Sequence, residues 1–333
     1  MKFVAGEFPQ TRLRRLRRTR VLRDLFAETH LGVHDLIAPI FIKAGEGPKQ
    51  SISSMPGQYQ FTLTDLADEI SSIVSLGITA VIVFGIPLHK DPEGSDSFDD
   101  NGIIQKAIRE IKRIAPDLLV IADTCFCEYT DHGHCGWVDD RSGLRDVEND
   151  KTLELLAKQA VSQVAAGADI VAPSGMIDGM VGAIRKALDQ ANFDYIPILS
   201  YAVKYASAFY NPFRHAAEGA PSFGDRKSYQ MNSANGEEAI REAWLDLQEG
   251  ADVLMVKPAI GCLDVLYRLT QSFPGVPVTA YHVSGEYAML KAAAKAGWLD
   301  EKLVVLEHLV AMKRAGASAI VSYYAKEVAM WLA

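Results

Sequence analysis

The feature that most constrains the fold is a repeated alternation of short apolar runs with segments of helical periodicity. The apolar runs are rich in β-branched residues and are bounded by Gly, Pro or Asp, which predicts buried strands at residues 36–42, 80–84, 118–122, 169–172, 196–200, 253–256, 278–281 and 319–322. Apolar residues three or four apart predict helices at 66–76, 103–114, 152–166, 180–191, 237–249, 263–272, 287–296 and 301–315.

Four of the helix-to-strand junctions resemble one another. In each, a glycine follows the predicted helix and an apolar strand comes next: Gly77, Gly167, Gly250 and Gly316. Glycine suits the left-handed position that ends many helices. The strands are continuously apolar, which is typical of a parallel sheet that helices cover.

Eight such units in 333 residues predict α/β class and a single (β/α)8 TIM barrel. We expect the barrel to span residues 33–333 and an extended N-terminal arm to span residues 1–32. A doubly wound sheet is the alternative architecture. It is disfavoured because no G-x-G-x-x-G follows the first strand and because polar, reactive residues end several different strands.

The composition is that of an ordinary soluble globular protein, with 49% hydrophobic and 23% charged residues and a net charge of -8. No apolar run approaches the roughly 18 residues that a membrane span requires, and the first ten residues lack a secretory signal. We therefore expect a cytoplasmic protein without a membrane partner.

Seven arginines lie between Arg12 and Arg23. One interpretation is nucleic-acid binding. The other is an arm that wraps a neighbouring subunit and pairs with the acidic remainder of the chain. We favour the arm, and expect no nucleic-acid partner, because no aromatic residue for base stacking is interleaved with the arginines and the whole protein is acidic.

The segment 123–136, D-T-C-F-C-E-Y-T-D-H-G-H-C-G, follows the third predicted strand and holds three of the four cysteines: Cys125, Cys127 and Cys135. Three thiolates suit Zn²⁺ better than Mg²⁺ or Ca²⁺. A disulfide, redox chemistry and inert buried thiols are the alternatives, although Cys125 and Cys127 are too close in sequence for a relaxed bridge.

The same segment leaves two kinds of zinc site open. Three cysteine ligands keep a fourth position free, as in catalytic sites, whereas His132 or His134 as a fourth ligand would close a structural site. Because the segment follows a barrel strand and faces two lysines, we favour the three-cysteine catalytic site. The two histidines are then expected to shape the loop.

Those lysines lie at the ends of neighbouring predicted strands. Lys204 follows the fifth strand, and Lys257 ends the apolar run V-L-M-V-K-P. A lysine at the barrel rim that reaches solvent is the alternative for each. Two close, partly buried ammonium groups lower each other's pKa, so one amine becomes neutral near pH 7 and can attack a ketone to form a Schiff base.

A long segment of weak periodicity, residues 205–235, separates the fifth and sixth units. We call it the lid, because long loops inside compact domains are usually functional. Its Arg214 and Arg226 are suited to clamp a substrate carboxylate. A solvated loop with ordinary surface charges is the alternative.

Taken together, these motifs resemble the porphobilinogen synthase family, also called the δ-aminolevulinate dehydratases. The resemblance runs from about Arg14 to the C-terminus. It rests on the cysteine segment, S-Y-A-V-K-Y-A-S-A-F-Y-N-P-F-R, G-D-R-K-S-Y-Q-M-N, V-L-M-V-K-P and Y-H-V-S-G-E-Y-A-M. It implies a lyase that condenses two 5-aminolevulinate molecules into porphobilinogen for tetrapyrrole (haem) synthesis, and a homo-octamer built through exchange of N-terminal arms.

The resemblance also implies roles for individual residues. Lys257 would hold the propionate-side substrate as a Schiff base, and Lys204 would engage the acetate-side substrate. The three cysteines would bind an active-site Zn²⁺, because relatives with Asp at these positions depend on Mg²⁺ instead. The remaining assignments are carboxylate binding by Arg214 and Arg226, propionate binding by Ser284 and Tyr323, and support or proton transfer by Asp123 and Ser174.

Glu242 falls where many bacterial relatives bind an activating Mg²⁺ outside the active site, although a helical glutamate is usually just solvated. The chain departs from the family at Gly175, Met180 and Cys262, and none of these departures removes a reactive group. Two other classes of function stay open. One is a different Schiff-base lyase or aldolase, which needs one lysine and no zinc; the other is a non-catalytic, zinc-stabilised assembly partner.

Overall fold

The computed structural model describes residues 6–141 and 143–333 and contains a barrel of parallel strands. The barrel strands are β1 (Leu36–Lys43), β2 (Ala80–Ile86), β3 (Leu119–Thr124), β4 (Ile170–Pro173), β5 (Leu199–Lys204), β6 (Val253–Lys257), β7 (Val278–His282) and β8 (Ala319–Ser322). They pair in the order β4-β3-β2-β1-β8-β7-β6-β5. A parallel bridge between Val171 and Ile198 brings the two ends of this sheet together. The predicted (β/α)8 barrel is confirmed.

The α-helices are α1 (Arg20–Leu25), α2 (Leu66–Ser75), α3 (Ile103–Ile114), α4 (Asn149–Ala165), α5 (Met180–Gln190), α6 (Asn211–Ala216), α7 (Glu237–Glu249), α8 (Leu263–Ser272), α9 (Ser284–Lys295), α10 (Glu301–Arg314) and α11 (Ala325–Leu332). All eight predicted helices are present to within a few residues. Helices α1, α6 and α11 were not predicted; they are short and lie in the N-terminal segment, in the lid and after the last strand. Within residues 6–141 and 143–333, no helix is both long and apolar enough to cross a membrane.

The fifth strand was predicted at the wrong position in the sequence. It spans Leu199–Lys204 rather than residues 196–200, so Lys204 ends the strand instead of following it. The prediction stopped at Ser200, where the apolar run ends, whereas the strand continues through Tyr201 to a buried lysine. The neighbouring strands bury that lysine, and a search for apolar runs in the sequence cannot detect such burial.

The barrel strands are buried on both faces, as their continuous apolar sequences predict. Every residue of β2 is buried, for example. At the four similar junctions, Gly77, Gly167, Gly250 and Gly316 all have positive φ, at 77°, 108°, 106° and 109°. Only glycine adopts this region without a steric penalty, so each residue lets the chain reverse from a helix into the next strand.

Short elements complete the structure around the barrel. Strands Gln50–Ser51 and Tyr59–Phe61 form an antiparallel pair, and Tyr59–Phe61 also extends along the end of β1. Strands Val138–Asp139 and Asp146–Val147 form a second antiparallel pair after the cysteine segment. The 3₁₀ helices are Leu13–Arg17, Val33–Asp35, Ser95–Phe98, Ala208–Tyr210 and Ile260–Cys262.

The N-terminal segment lies on the outside of the molecule. Its 3₁₀ helix Leu13–Arg17 and α1 contain no buried residue. Several large apolar side chains there are exposed, among them Phe8, Leu13, Val21, Leu25 and Phe26. Residues 1–5 of the predicted arm lie outside the described residues.

We predict that Gly316→Ala destabilises the barrel more than Gly297→Ala. Both glycines have positive φ, but a Cβ at residue 316 would lie 2.6 Å from Thr270 Cγ2, whereas a Cβ at 297 would meet nothing within 4 Å. The backbone penalty alone is about 1 kcal/mol, and the clash adds about 1–3 kcal/mol. Thermal denaturation measures the difference, and equal melting temperatures for the two variants would contradict it.

Candidate active site

Reactive side chains converge where the carboxyl ends of the barrel strands meet. Lys204 and Lys257 end β5 and β6 and are paired in register, and each is only 5% exposed. One cavity is lined by both lysines together with Asp123, Cys127, Ser174, Arg214 and Arg226. The barrel therefore brings together residues that lie up to 134 positions apart in the chain, from Asp123 to Lys257.

Lys257 lies among aromatic rings. Its Nζ is 4.2 Å from the ring centre of Tyr281, 5.0 Å from that of Phe213, 5.1 Å from that of Tyr201 and 5.3 Å from that of Tyr210. Burial lowers the pKa of Lys257 to about 7, and the nearby charge of Lys204 acts in the same direction. A substantial fraction of this amine is therefore neutral, and nucleophilic, at neutral pH.

Lys204 connects to the neighbouring strands through a short chain of hydrogen bonds. Its Nζ donates to the main-chain oxygen of Ser174, and Ser174 Oγ donates to Asp123 Oδ2 at 3.2 Å. The ring of Tyr201 lies 5.6 Å from Lys204 Nζ, so one tyrosine contacts both lysines. Burial raises the pKa of Asp123 to about 8, and the charge of Glu128 adds to the increase.

The three cysteines of the 123–136 segment form a compact, buried set of sulfur ligands. The Sγ atoms of Cys125, Cys127 and Cys135 all lie within 4.8 Å of one another, and those of Cys125 and Cys127 are 3.6 Å apart. A tetrahedral ion with metal–sulfur bonds of about 2.3 Å separates its sulfurs by about 3.8 Å. A disulfide requires about 2.05 Å. The thiols therefore fit a single thiolate-binding metal ion.

The two histidines brace the loop. His134 has its ring nitrogens 3.0 Å from Tyr229 Oη and 3.0 Å from the main-chain oxygen of Phe223. His132 Nδ1 accepts from the main-chain N–H of His134. Neither histidine belongs to the metal-ligand groups found in the described part of the chain. This arrangement agrees with the loop-shaping role that we expected.

The lid supplies two guanidinium groups to the cavity. Arg226 is 4% exposed and donates through Nη2 to the main-chain oxygens of Gly133 and Gly219. Arg214 lies in α6 and is half-buried. In both residues, the Nε–H is buried and has no acceptor among residues 6–141 and 143–333. A bound carboxylate would satisfy these donors.

Two predicted substrate-binding residues do not line this cavity. Tyr323 is buried, and its Oη is 3.1 Å from the Oη of Tyr281, the ring closest to Lys257 Nζ. Ser284 begins α9; its Oγ donates to the main-chain oxygen of Phe209 and accepts from the main-chain N–H of Phe213. Ser284 thus anchors the start of the lid, and both hydroxyls already have protein partners.

Glu128 and the aromatic residues around Lys257 are site residues that were not predicted from the sequence. Glu128 lines the cavity and is 2% exposed, and neither carboxylate oxygen has a partner in the described residues. Burial raises its pKa to about 8, and the charge of Cys127 acts in the same direction. Asp123, Cys125 and Glu128 also have ligand atoms within 4.8 Å of one another. The only sequence signal for Glu128 was its position next to Cys127.

Glu242 lies away from the lysines, in a separate cavity beside α7. Asp178, Glu238 and Glu249 line the same cavity, and Asp246 is buried there against Ser200. Burial raises the pKa of Glu242, and the charges of Asp178 and Glu238 raise it further. The acidic surroundings would favour a cation. Because this cavity is separate from the one that holds the lysines, Glu242 lies outside the active site.

Comparison with known proteins identifies one family. The family model described as "Delta-aminolevulinic acid dehydratase" matches residues 10–331. A relative of that name from Halalkalibacterium halodurans is 56% identical over 321 residues, covering 96% of each chain. Another, from Synechocystis sp., is 53% identical over 325 residues, covering 98% of this chain and 99% of the relative.

A solved structure shows the same fold in detail. The delta-aminolevulinic acid dehydratase (porphobilinogen synthase) of Toxoplasma gondii, crystallised with the reaction product porphobilinogen, superposes with a TM-score of 0.93. The sequences are 44% identical, and the match covers 97% of this chain and 91% of that one.

We predict that the cysteine cluster binds one divalent ion per chain. Co²⁺ added under reducing conditions should produce thiolate-to-metal absorption, because all three sulfurs reach one ion. Cys135→Ser should weaken binding by at least about tenfold. Cys262→Ser is the matched control, since Cys262 lies outside the cluster and should leave the titration unchanged. Equal titrations for the two variants would contradict the site.

Proposed function

This chain belongs to the delta-aminolevulinic acid dehydratase family, and from that premise we infer that it is a lyase that condenses two 5-aminolevulinate molecules into porphobilinogen in tetrapyrrole synthesis. The observation that carries the inference is the lysine pair beside three buried cysteines in one barrel mouth. A Schiff-base aldolase would need only one of the lysines and none of the sulfurs.

We propose that Lys257 is the principal nucleophile. Its neutral amine attacks the ketone carbon of one 5-aminolevulinate, the adduct loses water, and an imine joins the substrate to Nζ. Burial of Nζ in the barrel mouth removes water, and this desolvation favours the neutral amine. Carbon C3 of the second substrate, next to its ketone on the carboxylate side, then loses a proton and bonds to the imine carbon. Cleavage of the carbon–Nζ bond, with loss of the remaining C3 proton, later frees the lysine.

The second substrate is assigned to the side of the cavity that contains Lys204. Arg214 and Arg226 would bind its carboxylate through the donors that lack acceptors. Lys204 would engage its carbonyl, while Asp123 and Ser174 would orient Lys204 through the hydrogen bonds described above. Tyr323 and Ser284 are proposed to bind the first substrate's propionate, which requires each hydroxyl to exchange its present partner.

We propose Zn²⁺ as the ion held by Cys125, Cys127 and Cys135. Their sulfur-only chemistry and spacing support this choice over oxygen-preferring ions. When bound, zinc would supply a Lewis acid that polarises the carbonyl or amine of the second substrate. A second ion, Mg²⁺, is proposed at Glu242, supported by the surrounding carboxylates.

We propose that residues 1–32 act as an arm that packs on neighbouring copies of a barrel formed by residues 33–333, giving a homo-octamer. The exposed apolar side chains of the segment support this, because they have little contact with their own barrel. Four free thiols, three of them buried, support a reducing cytoplasm as the location.

The first experiment traps the imine. Sodium borohydride added with 5-aminolevulinate should leave a reduced adduct on Lys257, identified by peptide mass spectrometry. Lys257→Met should abolish the adduct, while the exposed-lysine control Lys302→Met should form it normally. Absence of an adduct at residue 257 in the unmodified protein would refute the proposal.

The pH dependence of trapping should follow the pKa of Lys257. An amine attacks only when it is deprotonated, so the initial rate should rise with pH, with a midpoint near 7, and then level off. Lys204→Met removes a positive charge that lowers this pKa, so its midpoint should move to higher pH. An unchanged midpoint would show that Lys204 does not influence Lys257.

The arm is tested by truncation. A variant that begins at Val33 should sediment as a smaller assembly than the full chain, because the exposed apolar contacts of the arm are lost. Analytical ultracentrifugation at matched concentrations measures this. Circular dichroism should remain unchanged, since the arm contributes little to the core. An identical sedimentation profile would contradict the arm's role in assembly.

A further inference from the structure

The cavity is closed in this conformation. Lys204, Lys257 and Arg226 are each about 5% exposed or less, so a substrate from solvent cannot reach the amines without movement of the chain. The lid lies at the mouth of the barrel, where the lysines are, and supplies Arg214 and Arg226 to the cavity. The contacts that hold the lid against the barrel therefore control the closed state.

Several of those contacts converge on Glu218. Its carboxylate oxygen Oε1 accepts from Lys43 Nζ at 2.5 Å and from Gln60 Nε2 at 3.2 Å. Its main-chain oxygen accepts from Lys90 Nζ at 2.5 Å. Gln60 Nε2 also donates to the main-chain oxygen of Ala216 at 2.7 Å. The three donors come from the barrel side: Lys43 ends β1, Gln60 lies in strand Tyr59–Phe61, and Lys90 follows β2.

The backbone at Glu218 is held in an uncommon conformation. Its φ is +51°, in the left-handed region that glycine favours. A non-glycine residue keeps such a conformation when surrounding contacts impose it. The donors from Lys43, Gln60 and Lys90 supply that constraint at one turn of the lid.

The same turn is hydrogen-bonded to both lid arginines. The N–H of Gly219 donates to the main-chain oxygen of Arg214 at 3.0 Å, and Arg226 Nη2 donates to the main-chain oxygen of Gly219. There is also little room behind it, because a Cβ on Gly219 would lie 2.8 Å from the main-chain oxygen of Cys127. Displacement of this turn would therefore displace both guanidinium groups.

We propose that Glu218 is a positioning residue that latches the lid to the barrel through Lys43 and Gln60 and thereby places Arg214 and Arg226 for the substrate carboxylate. The inference rests on the proposed function for the identity of that substrate. Opening the lid breaks the carboxylate contacts, and substrate binding promotes closure by bridging the two arginines. Glu218 itself does not touch the reacting atoms.

The test combines hydrogen exchange with kinetics. In Glu218→Ala without substrate, amides in peptides covering residues 211–224 should exchange about three- to tenfold faster, since hydrogen bonds to a charged group are lost. Lys43→Met should give a smaller increase, since the Gln60 contact is kept, and the double variant should equal Glu218→Ala, because that change already removes the Lys43 contact. Glu218→Gln should restore part of the protection, since its amide oxygen still accepts.

The matched control is Asp225→Asn. Asp225 is also a lid carboxylate, but its ionic partner Lys227 is exposed and lies in the lid itself, so no contact to the barrel is lost. Its exchange in residues 211–224 should equal that of the unmodified protein.

The kinetic result distinguishes a latch from general damage. Glu218→Ala should raise the KM for 5-aminolevulinate about three- to tenfold with kcat within about twofold, because bound substrate holds the arginines in place. Saturating substrate should return its lid exchange to the unmodified level. Unchanged exchange in both Glu218→Ala and Lys43→Met would overturn the latch. Failure of the unmodified protein to turn over 5-aminolevulinate would refute the proposed function, while the exchange result would still decide the latch.

Discussion

The parallel pairing of β5 with β6 is the interaction on which the site depends. It places Lys204 directly beside Lys257, at the ends of two buried strands where neither ammonium can be fully hydrated. Burial and mutual repulsion then act in the same direction and lower the pKa of Lys257. The barrel makes this amine reactive by burying it beside a second lysine. The same lysine on a surface helix would stay protonated at neutral pH.

The two lysines have different surroundings. Lys257 faces a cage of aromatic rings, whereas Lys204 is tied to the Ser174–Asp123 chain next to the cysteine cluster. Two amines of the same kind therefore occupy different environments. This asymmetry fits a reaction that uses two identical substrate molecules in different roles, since the protein has to tell them apart by the position that each one occupies.

The cysteine segment and the lid depend on each other. The lid residue Ser222 donates its N–H to the main-chain oxygen of His132, and Arg226 donates to Gly133. Gly133, with φ of +70°, allows this close approach, because a Cβ there would lie 2.2 Å from the main-chain oxygen of Ala220. The cysteine segment and the two lid arginines are thus held by one packed interface.

The sequence by itself determined the barrel, through eight apolar strands and the glycines at the junctions. It indicated the cysteines by their density, the lysines by their place at the ends of apolar runs and the arginines by their place in a long loop. It could not locate the end of β5, the burial of Glu128 in the cavity or the contacts of Glu218. Neither Glu128 nor Glu218 stands out in the sequence. Distant segments bury Glu128 without a hydrogen-bond partner among the described residues. Glu218 accepts hydrogen bonds from donors on β1, strand Tyr59–Phe61 and the loop after β2. Only the tertiary structure decided these features, since burial and hydrogen bonding between remote residues depend on how the closed barrel brings their elements together.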